Sequence, residues 1–331
     1  MKVTIIIPNY NGAHFLKPCL EKLKAQTFQD FEVLVVDNGS TDGSLALLET
    51  FYPETRVIPL GKNQGFSRAV NAGIRASRSA YVILLNNDTE PEPGYVEALV
   101  KSIGRSKRIF SVSPKMVQLY DRSLIDDAGD LYTVVGWAAQ RGVGQSVEEY
   151  DRPCRIFSAC AGAAIYRRSV FEKIGCFDEL HFAYLEDLDV GFRAKLSGYR
   201  NEYCPEAVVY HVGSGTSGSR YNPFKVRLTA RNSVYLNYKN MPAAMLALNA
   251  PAIVAGYVLK YLFFKRLGFE KDYLSGLREG FRTRNRCKKV PFRRDRLLTY
   301  VLIEGELLKN SGIYAWEFLK RRLRESSYTR E

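Results

Sequence analysis

Over the first quarter of the chain, short apolar runs alternate with stretches in which apolar residues recur every three or four positions. Val3–Ile7 is an unbroken run rich in β-branched residues that stops at Pro8, the pattern of a strand buried on both faces. Helical periodicity follows from about Ala13 to Ala25, and a second apolar run spans Phe31–Val36. Asp42 stands where it would cap a helix running to about Phe51. A strand is expected at Arg56–Leu60, a helix at Phe66–Ala76 and another strand at Tyr81–Leu85. Strand and helix in turn, with apolar strands throughout, imply an α/β protein whose mostly parallel sheet lies between helices. Ligands of such sheets bind beyond the carboxyl ends of the strands. The informative segments are therefore Pro8–Gly12, Asp37–Asp42 and Asn86–Glu90.

From about 108 to 165 the pattern loosens into short strands and glycine-rich turns, as suits a substrate-facing region. Helices are expected near Ser169–Ile174 and Glu186–Ser197, then two short strands, Tyr199–Tyr203 and Ala207–Tyr210, and a flexible loop at Gly213–Gly218. Beyond Pro223 the chain reads as helices. Met241–Leu259 carries no charge and is nearly long enough to span a bilayer. Pro242, Asn249, Pro251 and Gly256 interrupt it, so an interfacial or packed helix is the expectation.

Charge sharpens that division. The chain of 331 residues carries a net +13, yet residues 241–331 hold 19 Lys/Arg against 9 Asp/Glu, and residues 1–240 hold 29 against 26. A basic tail on a near-neutral body needs an anionic partner, whether nucleic acid, lipid or phosphorylated substrate. With 46% hydrophobic residues and no low-complexity tract, the chain can bury a sizeable core, which excludes disorder. Six scattered cysteines without a Cys-x-x-Cys pair read as thiols of a reducing compartment. The opening apolar run is too short for a signal peptide, so a cytoplasmic body is expected.

The strand exits supply the chemistry. Asp37, at the end of a buried strand, can accept a bond from a base imide or a ribose hydroxyl; Asn38-Gly39 turns the chain and Ser40 adds a polar contact. The segment from Lys62 to Gly73 opens a helix whose first amides could face an anion, with Arg68 near a diphosphate. A strand ending in Leu85-Asn86-Asn87-Asp88 delivers one carboxylate to the sheet edge, a way of presenting Mg²⁺ or Mn²⁺ to a diphosphate. In the run Glu186-Asp187-Leu188-Asp189, Glu186 and Asp189 share a helix face and Asp187 leaves it. Asp189 and Arg193 read as an i,i+4 pair that steadies the helix, worth about 0.3–0.5 kcal/mol. Taken alone, His211 reads as structural.

Together these segments resemble family-2 glycosyltransferases of the GT-A, nucleotide-diphospho-sugar transferase fold, in their rhamnosyltransferase-like branch. The resemblance rests on IIIPNYNG, VVDNGSTDGS, NQGFSRAVNAGI, LLNNDT, FDELHFAYLEDLDVGFR and YHVGSGTS in that order, and covers roughly residues 1–240. It implies a catalytic domain over 1–222, with a nucleotide-binding half at 1–107 and an acceptor-binding half at 108–222, followed by a basic helical extension at 223–331. It assigns the nucleotide to Pro8, Asn9, Tyr10, Asn11, Asp37, Asn38, Ser40, Asn63, Gly65, Arg68, Asn86 and Asn87. Asp88 becomes the metal-binding acid of a D-x-D-type motif whose first acid is here Asn86, and His211 joins it. Asp187 becomes the catalytic base, with Glu186 on the acceptor side. At a helix N-terminus, Asp187 is expected to have a low pKa. His181 stands where an aromatic residue is common and receives no role.

The implied reaction moves a sugar, with rhamnose a candidate, from a nucleoside-diphosphate donor to a saccharide or lipid-linked saccharide acceptor. Inversion at the anomeric carbon, a Mg²⁺ or Mn²⁺ cofactor and a place in cell-surface polysaccharide assembly come with it. The basic tail and the apolar run, with Tyr257, Tyr261, Phe263 and Phe264 as anchors, are expected to attach the enzyme to the inner face of the plasma membrane through an anionic lipid surface. A sugar nucleotidyltransferase would place a glycine-rich basic loop where Pro8-Asn9-Tyr10-Asn11 stands. A dehydrogenase would need G-x-G-x-x-G after the first strand. No nucleic-acid-binding motif accompanies the basic tail, so nucleic acid is not an expected partner.

Overall fold

The computed structural model describes residues 1–213 and 221–328. The first half follows the alternation closely: β1 (Val3–Asn9), α1 (Ala13–Lys24), β2 (Phe31–Asp37), α2 (Ser44–Phe51), β3 (Arg56–Pro59), α3 (Phe66–Ala76) and β4 (Tyr81–Leu84). The continuous apolar run of β1 is explained by two covered faces. Ile5 and Ile7 pack with Leu16, Cys19 and Leu20 of α1 on one side, while Ile6 packs with Ala69, Val70 and Ile74 of α3 on the other. Asp42 is not the cap of α2, whose N-cap is Gly43 in the left-handed region. Its carboxylate instead accepts from Ala13 N at 2.8 Å and Ser44 N at 3.1 Å, tying together the starts of α1 and α2.

The chain continues through β5 (Thr89–Pro91), α4 (Tyr95–Gly104), β6 (Ile109–Gln118), β7 (Ile125–Asp127), β8 (Asp130–Tyr132), β9 (Ala138–Gln140), β10 (Cys154–Ile156), β11 (Ile165–Arg167), α5 (Arg168–Ile174), α6 (Glu186–Leu196) and β12 (Arg200–His211). The main sheet has the order β10-β12-β6-β11-β4-β1-β2-β3, with β5 added to β12 and β7 to β6. β3, β2, β1 and β4 are parallel, and β11 is wedged antiparallel between β4 and β6. The two strands expected at Tyr199–Tyr203 and Ala207–Tyr210 are one strand, β12, whose register shifts between Cys204 and Val208. Pro205 lies within that shift and has no N–H to give the ladder. Of the glycine/serine loop expected at 213–218, residues 214–218 lie outside the described residues.

Four helices follow: α7 (Pro223–Asn240), α8 (Ala243–Arg266), α9 (Glu270–Thr283) and α10 (Leu297–Tyr328). α7, α8 and α10 share a core with the sheet region, in which Tyr132, Phe157, Leu188 and Phe192 are buried with Leu236, Met241, Ile253, Ile303 and Leu307. Hydrogen bonds cross the same boundary: Trp137 Nε1 donates to Gly256 O at 3.1 Å, and Asn310 Nδ2 to Tyr132 O at 3.1 Å.

Candidate active site at the strand exits

Three strand ends are pinned to one another by amide side chains. Asn87 Nδ2 donates to Asn9 Oδ1 at 2.7 Å, and Asn9 Nδ2 donates to Asp37 Oδ1 and Ser40 Oγ, both at 3.1 Å. Gly12 permits this approach, because a Cβ there would lie 2.0 Å from Asn87 Nδ2. Asp37 also accepts from Gly39 N at 3.2 Å and Ser40 N at 3.0 Å. Of the about four lone-pair positions of a carboxylate, three are thus used, which leaves roughly one for a base or ribose donor. Ser40 Oγ accepts from Asn9 and Asn11, so its hydroxyl proton is still available to a ligand. Asn9 and Asn87 act by holding the exits together.

Asn38 bridges to the exit of β3, donating to Asn63 Oδ1 at 3.1 Å and accepting from Gln64 N at 2.8 Å. Gly65 (φ 87°) lies so close to Phe182 that a Cβ would meet its ring at 2.6 Å. The amides opening α3 are not all turned to an anion, since Ser67 N donates to Phe182 O at 3.1 Å. Arg68 is exposed and faces Glu179 at 3.6 Å. Pro8 is paired in register with Val36, Tyr10 is exposed, and Asn86 lies beside Gly162, to whose carbonyl its own N–H donates at 2.7 Å.

The pairing of β5 with β12 places Thr89 opposite His211, and Val212 N donates to Asp88 O at 3.1 Å. This register brings residues 123 positions apart together: His211 Nε2 is 3.4 Å from Asp88 Oδ1. On the other ring nitrogen, Nδ1 is 2.8 Å from Asp126 Oδ2. Burial disfavours the imidazolium, but hydrogen bonds donated to Asp126 and Asp88 outweigh it and push His211 up to about 10, so a cation would have to displace the Nε2 proton to bind there. A carboxylate oxygen and an imidazole nitrogen aimed at one point, with a second carboxylate behind the imidazole, fit a divalent cation and its outer shell. Among the described residues, no three His, Cys, Asp or Glu side chains form a closed cage. The protein would supply two ligands and leave the remaining positions to diphosphate oxygens and water. Asp126 carried no motif in the sequence; only its place on a strand of alternating burial points to it.

Helix α6 carries the other half of the site. It is preceded by Phe182 (φ 62°), Tyr184 (φ 72°) and Leu185 (φ 66°), which with Asn11 are the non-glycine residues of positive φ among those described. Backbone held in such sparsely populated regions costs about 1–3 kcal/mol per residue unless its surroundings enforce it. Here α7 does so: Asn232 Nδ2 reaches the carbonyls of His181, Ala183 and Tyr184 at 2.8–3.0 Å, and Arg231 Nη2 those of Leu180 and His181.

Asp187 is half-buried, and its carboxylate accepts from Leu188 N at 2.8 Å and Ala161 N at 3.4 Å. Its pKa is raised by burial, against the low value expected from the helix terminus. Glu186 is buried rather than open to an acceptor, and one of its oxygens has no partner. Behind the pair lie Asp127 and Asp130, each with an unpartnered buried oxygen. Burial first, with Asp126 and Asp187 adding, pushes Asp127 up to about 8, and it also feels His211.

Asp189 is not the simple helix-steadying partner expected. It is fully buried and accepts from Arg193 Nε at 2.9 Å, Lys239 Nζ at 2.9 Å and Asn240 Nδ2 at 2.8 Å. Lys239 also reaches Asp178 at 2.6 Å, so the network bolts α6 to α7. His181 is buried beside it with neither ring nitrogen hydrogen-bonded, and burial lowers its pKa to about 4.

The sequence profile of the family described as glycosyl transferase family 2 matches residues 4–175, just over half of the chain. The N-acetylglucosaminyl-diphospho-decaprenol L-rhamnosyltransferase of Mycobacterium tuberculosis is 29% identical over 239 residues, covering 65% of this chain and 77% of that protein. The mannosyltransferase PcManGT of Pyrobaculum calidifontis, solved with GDP-Man and Mn²⁺, superposes with a TM-score of 0.52 at 14% identity, over 96% of this chain and 87% of its own. GalNAc-T7, solved with UDP, GalNAc and Mn²⁺, gives a TM-score of 0.58 at 16% identity over 71% of this chain; the match spans 47% of that protein's chain.

Proposed function

From the chain's membership of glycosyl transferase family 2, with the GT-A fold, we propose that it transfers a sugar, with inversion, from a nucleoside-diphosphate donor to a saccharide carried on a lipid diphosphate. What supports this reading is a run of contacts: Asp37 to Asn9 to Asn87, next to Asp88 and its partner His211, with the Asp187 carboxylate on the Ala161 amide, one residue before the Gly162 carbonyl that Asn86 N bonds. The rhamnosyltransferase relative favours a 6-deoxyhexose donor and a lipid-linked acceptor in polysaccharide assembly. Peripheral attachment to the inner face of an anionic membrane would bring the enzyme to that acceptor.

The nucleoside lies against the β1 and β2 exits, where Asp37 keeps one acceptor position and Ser40 one donor. A Mg²⁺ or Mn²⁺ ion held by Asp88 and His211 would neutralise charge developing on the departing diphosphate. On the opposite face of the sugar, Asp187 takes the proton of the attacking acceptor hydroxyl. Burial raises its basicity above that of an exposed aspartate, which brings a carboxylate closer to the pKa that general-base catalysis at neutral pH requires. The more deeply buried Asp127, Asp130 and Glu186 are all pushed upward as well and hold protons in preference, leaving Asp187, with two backbone donors, as the group that ionises. One displacement, with no covalent intermediate, inverts the anomeric centre.

The test combines a thermal-shift screen of nucleoside-diphosphate sugars, with and without Mn²⁺, with turnover on a polyprenyl-diphosphate GlcNAc acceptor. Asp187→Asn should lower kcat by ~10²-fold or more with little change in donor affinity. Turnover of that variant within a few-fold of the parent would remove Asp187 from the mechanism.

A further inference from the structure

Helices α8 and α10 carry apolar side chains on the outside as well as against the core. Each buries one face in the shared core, and Asn249 of α8 donates to Glu304 of α10 at 2.9 Å. Among the described side chains, the acids of α10 turn inward: Glu306 pairs with Lys195, and Glu317 accepts from Tyr150. The Lys260 ammonium of α8 is likewise turned over the Trp137 ring and away from solvent. The outward faces are apolar. Every exposed residue of α8 from Ala243 to Phe263 is Ala, Leu, Pro, Val or Phe, with Leu248, Val258, Leu259 and Phe263 about half exposed or more. On α10, Leu298, Val301, Leu302, Trp316 and Leu319 are exposed, and Lys309 is the exposed charge between Leu297 and Leu319. An apolar surface running along two neighbouring helices exceeds what a water-facing surface ordinarily carries.

A basic belt borders this surface. Residues 281–296 hold eight Lys/Arg against one Asp, and Lys265 and Arg266 close α8. Phe281 packs on Tyr257 of α8 with centroids 6.2 Å apart, and Phe292 stacks on Tyr300 of α10 at 5.3 Å, so the belt is joined to both helices. We propose that α8 and α10 form a single in-plane face that embeds in an anionic bilayer, with the 281–296 belt on the headgroups. This deepens the proposed membrane attachment and rests on that reading. Charge decides the occupant: a symmetric pair of chains joined through this face would bring two strongly positive belts together, whereas anionic lipid neutralises them. The inner face of α8 is packed on protein, with Gly256 against the Val135 carbonyl, which makes it an in-plane helix rather than a span. Of the anchors expected from the sequence, Phe263 lies on this face, while Phe264 is buried.

The chain has two tryptophans, Trp137 and Trp316, which provides the test. In Trp137→Phe protein, Trp316 is the sole emitter. With phosphatidylglycerol-containing vesicles its emission should shift to the blue and be quenched by bromine on the acyl chains. Phosphatidylcholine vesicles should bind several-fold less, and Trp316→Phe protein should lack the quenching. The double variant Leu259→Glu/Val301→Glu should lose flotation by ~10-fold or more while keeping parental turnover on a soluble acceptor, since neither residue touches the active site. Three results would overturn the proposal: Trp316 unquenched in vesicle-bound protein, flotation unchanged in the double variant, or a dimer in buffer that the same variant dissociates. Vesicle binding with no turnover on any donor would sink the proposed reaction and leave this inference standing.

Discussion

Replacing Asp189 by Asn separates two accounts of what holds α6. If the Asp189–Arg193 pair were an exposed helical pair, the substitution would cost about 0.3–0.5 kcal/mol. In the structure the carboxylate has no exposure and faces two cations, Arg193 and Lys239, with Asn240 as a third donor. Asparagine keeps one acceptor oxygen but removes the charge that both cations share. Lys239 retains Asp178, whereas Arg193 is left with the carbonyls of Ile174, Gly175 and Cys176. Breaking a buried pair by removing one partner costs about 3–5 kcal/mol; with Asp178 still in place, the lower end, about 3 kcal/mol, is expected. Arg193 and Lys239 hold the Asp189 carboxyl well below the usual carboxylate range, against the burial that opposes ionisation. Its contribution is therefore present above the unfolded value, near 4, and is lost as pH falls through the lower folded value. The cost of Asp189→Asn should then be the same at pH 6 and pH 8. Urea unfolding measures it as a fall in midpoint at unchanged m. A loss below ~1 kcal/mol, or a cost that varies between pH 6 and pH 8, would refute the buried-network account.

Other outcomes test the remaining parts. His181 is neutral and has no hydrogen-bond partner among the described residues, so the unfolded chain binds an extra proton between pH about 6.5 and 4. Stability should fall by up to about 3 kcal/mol across that window, and His181→Phe should remove that pH slope even if it shifts the level; an unchanged slope by urea unfolding would contradict it. Asp88→Ala should abolish turnover that depends on Mg²⁺ or Mn²⁺, and His211→Ala should weaken it. Asp126→Ala should weaken Mn²⁺ binding ~10- to 100-fold by titration calorimetry, because it removes the acceptor that orients the His211 ring; parental affinity would deny Asp126 that role.

The sheet was legible because its signals are local. An unbroken β-branched run ended by Pro8 marks β1, and the same grammar repeats for β2 and β4. The acids at strand exits were legible for a related reason: fold class alone says where such exits lead, and Asp37 and Asp88 occupy them. What stayed hidden depends on partners far along the chain. Asp189 shows only Arg193 within its own helix, yet Lys239 and Asn240, fifty residues on, turn a surface pair into a buried bolt. The Asp187 shift runs against its local signal for a similar reason. A helix terminus favours the charged form by a modest local effect, whereas burial is a property of the assembled loops around Ala161 and Ser158, and here it is the larger. Periodicity likewise finds the two faces of α10 without saying which one meets protein. That choice is made by Lys195, Tyr132 and Tyr150, polar partners that only the folded sheet region presents, and they draw its acids and Asn310 inward and leave its leucines out. A polar stripe marks the water side of a helix only when the body it packs against is wholly apolar, and here that body offers polar partners beside its apolar core.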